Sequence, residues 1–404
     1  MSSWTQNWRD TPDKTPKLTG RVHVLGVGNV GTFVAHALAS RQNPPPITLL
    51  FHHSGFYEEF RKKKKSLSIT YNGLENTQKG FDVEFLSNGV WQSDRVDEDT
   101  QTDGPIECLI LCSKATKATK AIQQVSHRLN SDSSVVLMQN GMGIIETLNE
   151  RVFPDPNNRP HYIHCVNSHA LTRLQNFSIN YNAVGTMSLS PEVNSKTHLV
   201  DADIDTHWAP STKYLLRLLT LTPSLVATTE TPAGMLQIRL EKLAINCIIN
   251  PLTAINDCKN GELLYNFSCT RVMRLLLFEI SSVICALPEL QGVPGIQDRF
   301  SPERLRRLVT GLATTTAANT SSMLSDVRSG KQTEVHFING WIVDRGEELG
   351  IKCALNYMLM HLVKSKLAVN TRNIAGEVPI DNSKDVEGVD DDSKMQVKFS
   401  KEWV

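Results

Sequence analysis

A glycine-rich segment near the N-terminus limits the fold of this chain more than any other feature. The apolar, β-branched run RVHVLGV (21–27) leads directly into GNVGTFVAHALAS (28–40), whose apolar residues have helical spacing. A strand that enters a helix through Gly26, Gly28 and Gly31 is typical of the first βαβ unit of a doubly wound sheet. The segment therefore predicts a Rossmann-type α/β domain at the start of the chain.

Each glycine of this segment has its own physical task. Gly26 permits a tight turn, Gly28 lets backbone N–H groups approach a pyrophosphate, and Gly31 lets helix and strand pack closely. The N-terminus of the helix adds partial positive charge on the same side. A plain glycine turn is the alternative, but the strand–turn–helix context favours a dinucleotide site made of Gly26, Val27, Gly28, Asn29, Val30 and Gly31.

The end of the second predicted strand, PPPITLLF (44–51), indicates which dinucleotide binds. A site for NAD usually has an acid here for the ribose 2′-hydroxyl. This chain has His52 and His53 instead, no acid before Glu58, and a basic run, RKKKK (61–65). We therefore expect NADP(H), with His53 beside it, although the lysines of the run are equally consistent with a solvated loop.

Further strand and helix signals alternate along the first half of the chain. Continuous apolar runs such as IECLILC (106–112) are typical of strands buried on both faces, and SSVVLMQNGMG (133–143) repeats the pattern of strand followed by glycine turn. This alternation predicts a parallel, doubly wound sheet. The polar stretches 85–105 and 191–210 have the character of surface insertions.

The chain changes character near residue 230, after which long apolar and amphipathic helices predominate. The predicted fold class is thus α/β, an N-terminal Rossmann doubly wound parallel sheet plus a C-terminal all-helical domain. We expect a flexible N-terminal segment (1–19), a Rossmann dinucleotide-binding domain (20–230), a helical substrate and catalytic domain (231–370), and an acidic, disordered tail (371–404).

Composition excludes several classes of partner. Lys+Arg and Asp+Glu both number 42, so we expect no nucleic-acid and no membrane partner. The longest helical apolar run is interrupted by Glu279 and cannot cross a bilayer. The 8 cysteines form no CxxC pair, so we expect no metal and a reducing, cytoplasmic location. The first residues lack a secretory core, and mitochondrial import stays open.

One helix carries an unexpected polar stripe. In EKLAINCIINPLTAI (241–255), Lys242, Asn246 and Asn250 recur every four residues within an apolar sequence, so they share one helix face. A stripe facing solvent is one interpretation. The other is a stripe that lines a cleft and binds a ligand.

Four segments together resemble the ketopantoate reductase family. They are LGVGNVG (25–31), MQNGMG (138–143), KLAINCIINPLTAI with the nearby KNGEL (242–263), and ANTSSMLSDVRSGKQTEVHFING (318–340). The resemblance extends from about Arg21 to about Leu362. It implies NADPH-dependent reduction of 2-dehydropantoate to (R)-pantoate, a step toward coenzyme A, at a site between the two domains.

The resemblance also implies residue roles. Lys242 would be the general acid, and the matching motif positions would contact the cofactor (Lys114, Asn140, Glu334) or the small 2-keto acid substrate (Asn246, Asn250, Asn260, Asn319, Ser322). The histidine pair replaces the family's more usual arginine, which weakens the expectation of NADP. A reductase of another 2-keto acid, or a non-enzymatic relative that binds NADP or a protein or RNA partner, is the alternative. The oligomeric state stays open, with a homodimer as the candidate.

Some of these residues have ordinary structural interpretations as well. Ser322 could cap a helix, and Glu334 could be a first-turn acid. Asn319 and Ser322 would share a face if their segment is helical. Asn140 is a common turn residue, which only its place after a strand marks for ligand binding. We expect a structural role for His169, because Lys242 already supplies the acid.

Overall fold

The computed structural model describes residues 18–94, 104–193 and 208–375. Most of the predicted N-terminal segment, parts of both predicted insertions, and the predicted tail beyond residue 375 lie outside these ranges. The described residues form two sheets and a helical region.

Strands and helices occur in the following order. The strands are β1 (Val22–Leu25), β2 (Ile47–Phe51), β3 (Leu67–Tyr71), β4 (Leu74–Gln78), β5 (Asp82–Ser87), β6 (Val90–Ser93), β7 (Cys108–Leu111), β8 (Ser134–Leu137), β9 (His161–Asn167), β10 (Ala170–Gln175), β11 (Ser178–Ala183), β12 (Met187–Pro191) and β13 (Ala227–Thr229). The α-helices are α1 (Asn29–Ala39), α2 (Ser54–Lys62), α3 (Ala115–Gln123), α4 (Ile144–Arg151), α5 (Pro210–Thr220), α6 (Pro232–Asn256), α7 (Phe267–Ala286), α8 (Ile296–Arg299), α9 (Pro302–Thr315), α10 (Ser322–Arg328), α11 (Trp341–Glu348) and α12 (Ala354–Ala375).

The large sheet has nine strands in the order β13-β12-β9-β8-β7-β1-β2-β5-β6. Strands β9, β8, β7, β1, β2 and β5 are parallel, as the alternation of strands and helices predicts. The edges differ from that prediction, because β12 runs antiparallel to β9 and β6 antiparallel to β5. Buried apolar side chains cover both faces of the central strands.

The stretch predicted as a surface insertion from residue 85 begins as part of this sheet. Strands β5 and β6 form a hairpin whose turn residues Asn88 and Gly89 have φ of 51° and 79°. Positive φ at both positions is the geometry of a two-residue hairpin turn, for which Asn-Gly is the favoured sequence. The insertion prediction missed this signal, and Trp91 is buried as a result.

A second, four-stranded sheet in the order β10-β11-β3-β4 was not predicted. Its strands come from two distant parts of the chain, the β3–β4 hairpin and the β10–β11 hairpin. Strands β3 and β11 join the two hairpins by parallel pairing. Helix α1, which follows the glycine loop, packs against β3, β10 and β11. The small sheet therefore lies next to the predicted cofactor site.

The helical region begins with α6, whose N-cap Thr231 accepts the Gly234 N–H over 3.1 Å. The predicted domain boundary near residue 230 thus falls between β13 and α6. Helix α12 continues to Ala375, so the last turn of this helix occupies the first residues of the predicted tail.

Helix α6 contains Pro251, which cannot donate the usual backbone hydrogen bond to the carbonyl of Cys247. The buried side chain of Asn339 supplies the missing donor, because its Nδ2 lies 2.9 Å from the Cys247 oxygen. Asn339 belongs to a π-helical turn, His336–Gly340, which opens α11. This turn also contacts the Rossmann domain.

Candidate active site

Of the three glycines of the loop, only Gly28 could carry a Cβ without a collision. A Cβ on Gly26 (φ 98°) would lie 2.5 Å from the Ser113 nitrogen, and one on Gly31 would collide with the Gly26 carbonyl oxygen. A Cβ on Gly28 would meet nothing nearer than the Arg173 guanidinium, at 3.7 Å. The loop therefore fits a pyrophosphate above Gly28, at the N-terminus of α1.

The side chains of the other predicted loop residues contact the rest of the protein. Val27 and Val30 pack against the Rossmann core. Asn29 donates from Nδ2 to the Leu171 carbonyl oxygen over 3.2 Å and accepts from Arg173 Nε at 3.4 Å. These three residues can therefore meet a ligand mainly through the backbone.

The predicted cofactor residue His53 is the N-cap of α2. Its Nδ1 accepts the Phe56 N–H over 3.3 Å, and the ring is exposed at the end of β2. Beside it, burial lowers the pKa of His52, and His53, Lys117 and Lys120 lower it further. Two exposed lysines of α3 thus contribute positive charge at this end of the sheet.

Asn140 and Glu334 connect the two domains. Glu334 is buried, and its carboxylate accepts the Ala115 N–H over 2.9 Å and the Asn140 Nδ2 over 3.2 Å. Burial raises the pKa of Glu334, while the hydrogen bonds from Ala115 and Asn140 and the charge of Lys114 lower it. Glu334 is therefore not a first-turn acid facing solvent.

The MQNGMG turn packs directly on the π-helical turn. Met142 N donates to the Phe337 carbonyl oxygen over 2.9 Å, and a Cβ on Gly141 (φ 88°) would collide with that oxygen. Both the close approach and the positive φ require glycine. Lys114, at the N-cap of α3, forms a further bridge, an ion pair with Asp326 of α10.

Lys242 is half-buried on α6 and faces the carboxyl end of β9. Its Nζ donates to the Asn167 carbonyl oxygen over 2.8 Å. Burial lowers the pKa of Lys242, while Cys165 and Glu334 raise it. None of the salt bridges between residues that the structure describes involves this ammonium.

The other predicted substrate residues lie further along α6 and at its C-terminal end. Asn246 is half-buried and Asn250 buried, and in the described ranges neither side chain has a hydrogen-bond partner. Asn260 is buried, donates from Nδ2 to Thr316 Oγ1 over 3.0 Å, and leaves its Oδ1 without a partner in the described structure. The amides of Asn246 and Asn250 retain capacity for a ligand, whereas the partnerless Oδ1 of Asn260 is fully buried.

Asn319 and Ser322 would share a helix face only if their segment were helical, and residues 319–321 are not helical. Asn319 lies in the loop before α10, where its carbonyl oxygen accepts the Asn260 N–H over 3.1 Å. Ser321, not Ser322, caps α10, because its hydroxyl accepts the Leu324 N–H and bonds Thr253. Ser322 is the exposed first residue of the helix, so the cap interpretation of its side chain does not apply.

Sequence reasoning selected His169 as structural, and both of its ring nitrogens are used within the fold. Nδ1 accepts the Gly185 N–H at 3.0 Å, so Nε2 carries the proton and donates to the Leu225 carbonyl oxygen over 2.8 Å. Three further cations lie near the predicted cofactor residues, Arg173 beside Gly28 and Lys117 and Lys120 near His52, and the sequence analysis did not select them. The three-residue spacing of lysines in KATKATK places the last two on one face and could have indicated them.

Comparison with known proteins decides the family. The family model "Ketopantoate reductase PanE/ApbA" matches residues 22–193, and the model of its C-terminal domain matches residues 234–367. The chain belongs to the ketopantoate reductase family. It is accordingly an oxidoreductase with an N-terminal Rossmann domain and a C-terminal helical domain.

Relatives within the family carry different names. A protein named probable 2-dehydropantoate 2-reductase from Schizosaccharomyces pombe is 27% identical over 87% of this chain and 98% of its own length. A ketoisovalerate reductase from Beauveria bassiana is 25% identical over 88% of this chain and 85% of its own length.

Solved structures share the fold. A PanE/ApbA family ketopantoate reductase from Ralstonia eutropha has a TM-score of 0.64 at 20% identity, covering 87% of this chain and 99% of its own. A D-mandelate dehydrogenase, solved with NADH and anilino(oxo)acetate, also has a TM-score of 0.64 at 19% identity, with the same coverage.

The described residues of this ketopantoate reductase relative also show how it stands with respect to membranes, metal ions and disulfides. Within the described residues, no helix is long and apolar enough to cross a membrane. In the same part of the chain, no group of three His, Cys, Asp or Glu residues could hold a metal ion. All eight cysteines are free thiols, and burial raises the pKa of Cys108 to about 12.

Proposed function

We propose that this protein reduces 2-dehydropantoate to (R)-pantoate with NADPH and that Lys242 is the general acid. One observation carries the proposal. The ammonium of Lys242 is half-buried at the carboxyl end of β9, on the same helix face as the amides of Asn246 and Asn250. Ligands of open α/β sheets bind at the carboxyl ends of the strands.

The cation of Lys242 has the chemistry that reduction of a keto group requires. Bound NADPH supplies the hydride to the keto carbon. Lys242 stabilises the negative charge that develops on the keto oxygen and donates its Nζ proton to that oxygen. Burial lowers the pKa of Lys242, which makes the proton easier to release. Arginine could not serve, since its proton does not leave.

The amides bind and orient the substrate without adding charge. Asn246 and Asn250 offer donors and acceptors one and two turns beyond Lys242. Asn260 is assigned to the same substrate, with a buried Oδ1 that has no partner within the described residues. Ser322 and Asn319 are assigned to the substrate carboxylate, as the hydroxyl of Ser322 is exposed and does not cap α10.

Glu334, Asn140 and Lys114 are assigned to the cofactor side. Glu334 holds Asn140 in place, and its carboxylate keeps negative charge near Lys242, which favours the protonated ammonium. Lys114 has an ion pair with Asp326, from which it could turn to a phosphate, because its side chain is 40% exposed.

The preference for NADPH over NADH rests on charge at the end of β2. His52 and His53 stand where an acid would favour NAD, and Lys117 and Lys120 add positive charge on the same side. Positive groups bind the additional 2′-phosphate. The eight free thiols support a reducing compartment such as the cytoplasm.

Another 2-keto acid is the second candidate substrate. The ketoisovalerate reductase from Beauveria bassiana matches as much of this chain as the 2-dehydropantoate reductase does. Both acids have a branched carbon next to the keto group. They differ in the hydroxymethyl group of ketopantoate, for whose hydroxyl the amides of α6 offer partners.

A panel of 2-keto acids tests the proposal. Purified protein would be assayed with ketopantoate, ketoisovalerate and phenylglyoxylate, each with NADPH and with NADH, by loss of cofactor absorbance. We expect kcat/KM for ketopantoate with NADPH to exceed every other pair by about ten-fold or more, because a site that bonds a substrate hydroxyl rejects analogues without it. A higher value for another acid would reassign the substrate. No turnover in protein that binds NADPH would indicate the non-enzymatic relative.

A further inference from the structure

Arg173 is an exposed cation that the second sheet holds over the glycine loop. It lies on β10, where the pairing with β11 shifts register between Arg173 and Gln175. A bulge of this kind changes the direction of nearby side chains. Here the Arg173 guanidinium lies over Gly28, with Nη2 at 3.7 Å from the point where a Cβ of Gly28 would stand.

The position of this guanidinium is held by contacts to α1. Asn29 connects to β10 twice, since its Nδ2 donates to the Leu171 carbonyl oxygen and its Oδ1 accepts from Arg173 Nε. Arg173 Nη1 lies 3.4 Å from Asn176 Oδ1. No hydrogen bond within the described part of the chain uses Nη2, and no salt bridge there involves Arg173.

Local charge favours an anion at this point. Asn176 Nδ2 donates to Glu59, so the nearby carboxylate has another partner. The N-terminus of α1 begins at its N-cap Gly28, and the guanidinium lies beside the same glycine. Both groups favour the negative charge of a phosphate.

We propose that Arg173 binds the pyrophosphate of the dinucleotide cofactor, as a clamp that the β10–β11 hairpin supplies from outside the Rossmann sheet. Gly28 is the glycine that admits the pyrophosphate, and Arg173 is the nearest side chain above it. The planar fork of arginine suits two phosphate oxygens. Asn29 is a positioning residue, because it holds Arg173 and contacts β10.

The inference deepens the proposed function at the same dinucleotide site. It requires neither a particular keto acid nor a preference between NADH and NADPH. Binding measurements therefore separate the two, since parent protein that binds the dinucleotides but does not reduce ketopantoate would overturn only the proposed function.

The test compares Arg173→Met with the parent protein by calorimetric titration of NADPH, NADH, ADP and adenosine 2′-monophosphate. We expect Kd to rise by about 10- to 100-fold, and by the same factor, for the three ligands that contain a pyrophosphate, because one charge-assisted contact is lost. The 2′-monophosphate should bind as before. Arg173→Lys keeps a charge without the fork and should lose less.

Arg217→Met is the matched control, an exposed arginine of α5 in the same domain, and should leave all four values unchanged. Two outcomes overturn the proposal. Unchanged affinities in Arg173→Met would mean that the guanidinium contacts only Asn29 and Asn176. Weaker binding of NADPH and the 2′-monophosphate, with NADH and ADP unaffected, would place Arg173 at the 2′-phosphate. Arg173 is exposed, so equal thermal midpoints should verify that the variants are folded.

Discussion

The Nζ of Lys242 donates a hydrogen bond to the carbonyl oxygen of Asn167 over 2.8 Å. This bond joins the first long helix of the helical domain to the end of β9 in the Rossmann domain. It fixes the direction of the ammonium, which would otherwise be set only by a flexible side chain.

Removing the ammonium of Lys242 should slow the chemical step and leave cofactor affinity unchanged. We expect Lys242→Met, which keeps most of the side-chain length, to lower kcat by roughly 10²–10⁴-fold, the scale of a lost general acid. The Kd for NADPH should stay within about two-fold, since no contact to the glycine loop is removed. Steady-state kinetics and a binding titration measure the two quantities. Lys79→Met, an exposed lysine before β5, is the control, and parental turnover in Lys242→Met would refute the assignment.

The pH profile should identify the same lysine. Burial lowers the pKa of Lys242 from its ordinary 10.5. The protonated form is the active one, so kcat/KM should be high below the lowered pKa and should fall as pH rises through it. The falling limb should therefore be centred below pH 10.5. Lys242→Arg stays protonated and should show low activity without that limb.

The carboxylate of Glu334 should stabilise the domain junction. Glu334→Ala leaves the Ala115 N–H and the Asn140 amide without their acceptor, which should cost about 1–3 kcal/mol of unfolding free energy. Glu334→Gln keeps an acceptor for Ala115 and should cost less. Denaturant unfolding measures both, and equal losses in the two variants would contradict the role of these hydrogen bonds.

Two lysines of α3 should select for the 2′-phosphate. We expect the double substitution Lys117→Gln with Lys120→Gln to raise the Kd of NADPH by about 3- to 10-fold, at roughly the strength of exposed charge pairs. The Kd of NADH should not change, and the difference should shrink at high salt. Equal weakening of both cofactors would exclude this role for the two lysines.

The side chain of Asn339 should compensate for Pro251. Asn339→Ala should lower the unfolding free energy by about 1–3 kcal/mol, because the buried Cys247 carbonyl loses its donor. In a Pro251→Ala background the new backbone N–H can bond that carbonyl, so the same substitution should cost less. A double-mutant cycle by denaturant unfolding measures the coupling. If the losses of unfolding free energy from the two substitutions were additive, the Asn339 amide would not compensate for Pro251.

Much of the architecture could be read from local patterns. The strand–glycine–helix segment at 21–40 and the buried run 106–112 predicted the parallel core of the sheet, which the structure and its relatives confirm. The predictions failed where distant segments pair. Strand β3 is separated from β11 by more than a hundred residues, and neither sequence shows which partner it has. The loop position of Asn319 was missed because spacing alone does not tell whether a segment is helical.

The sequence by itself determined the class of this protein, because local periodicity and four motifs reflect constraints that act within a few residues. It selected Lys242, Asn140 and Glu334 as individual positions. Only the tertiary structure decided that Glu334 bonds Asn140, that Lys242 faces the end of β9, and that Arg173 lies over Gly28. These relations join residues far apart in the chain, and packing of the domains and of the second sheet sets their distances.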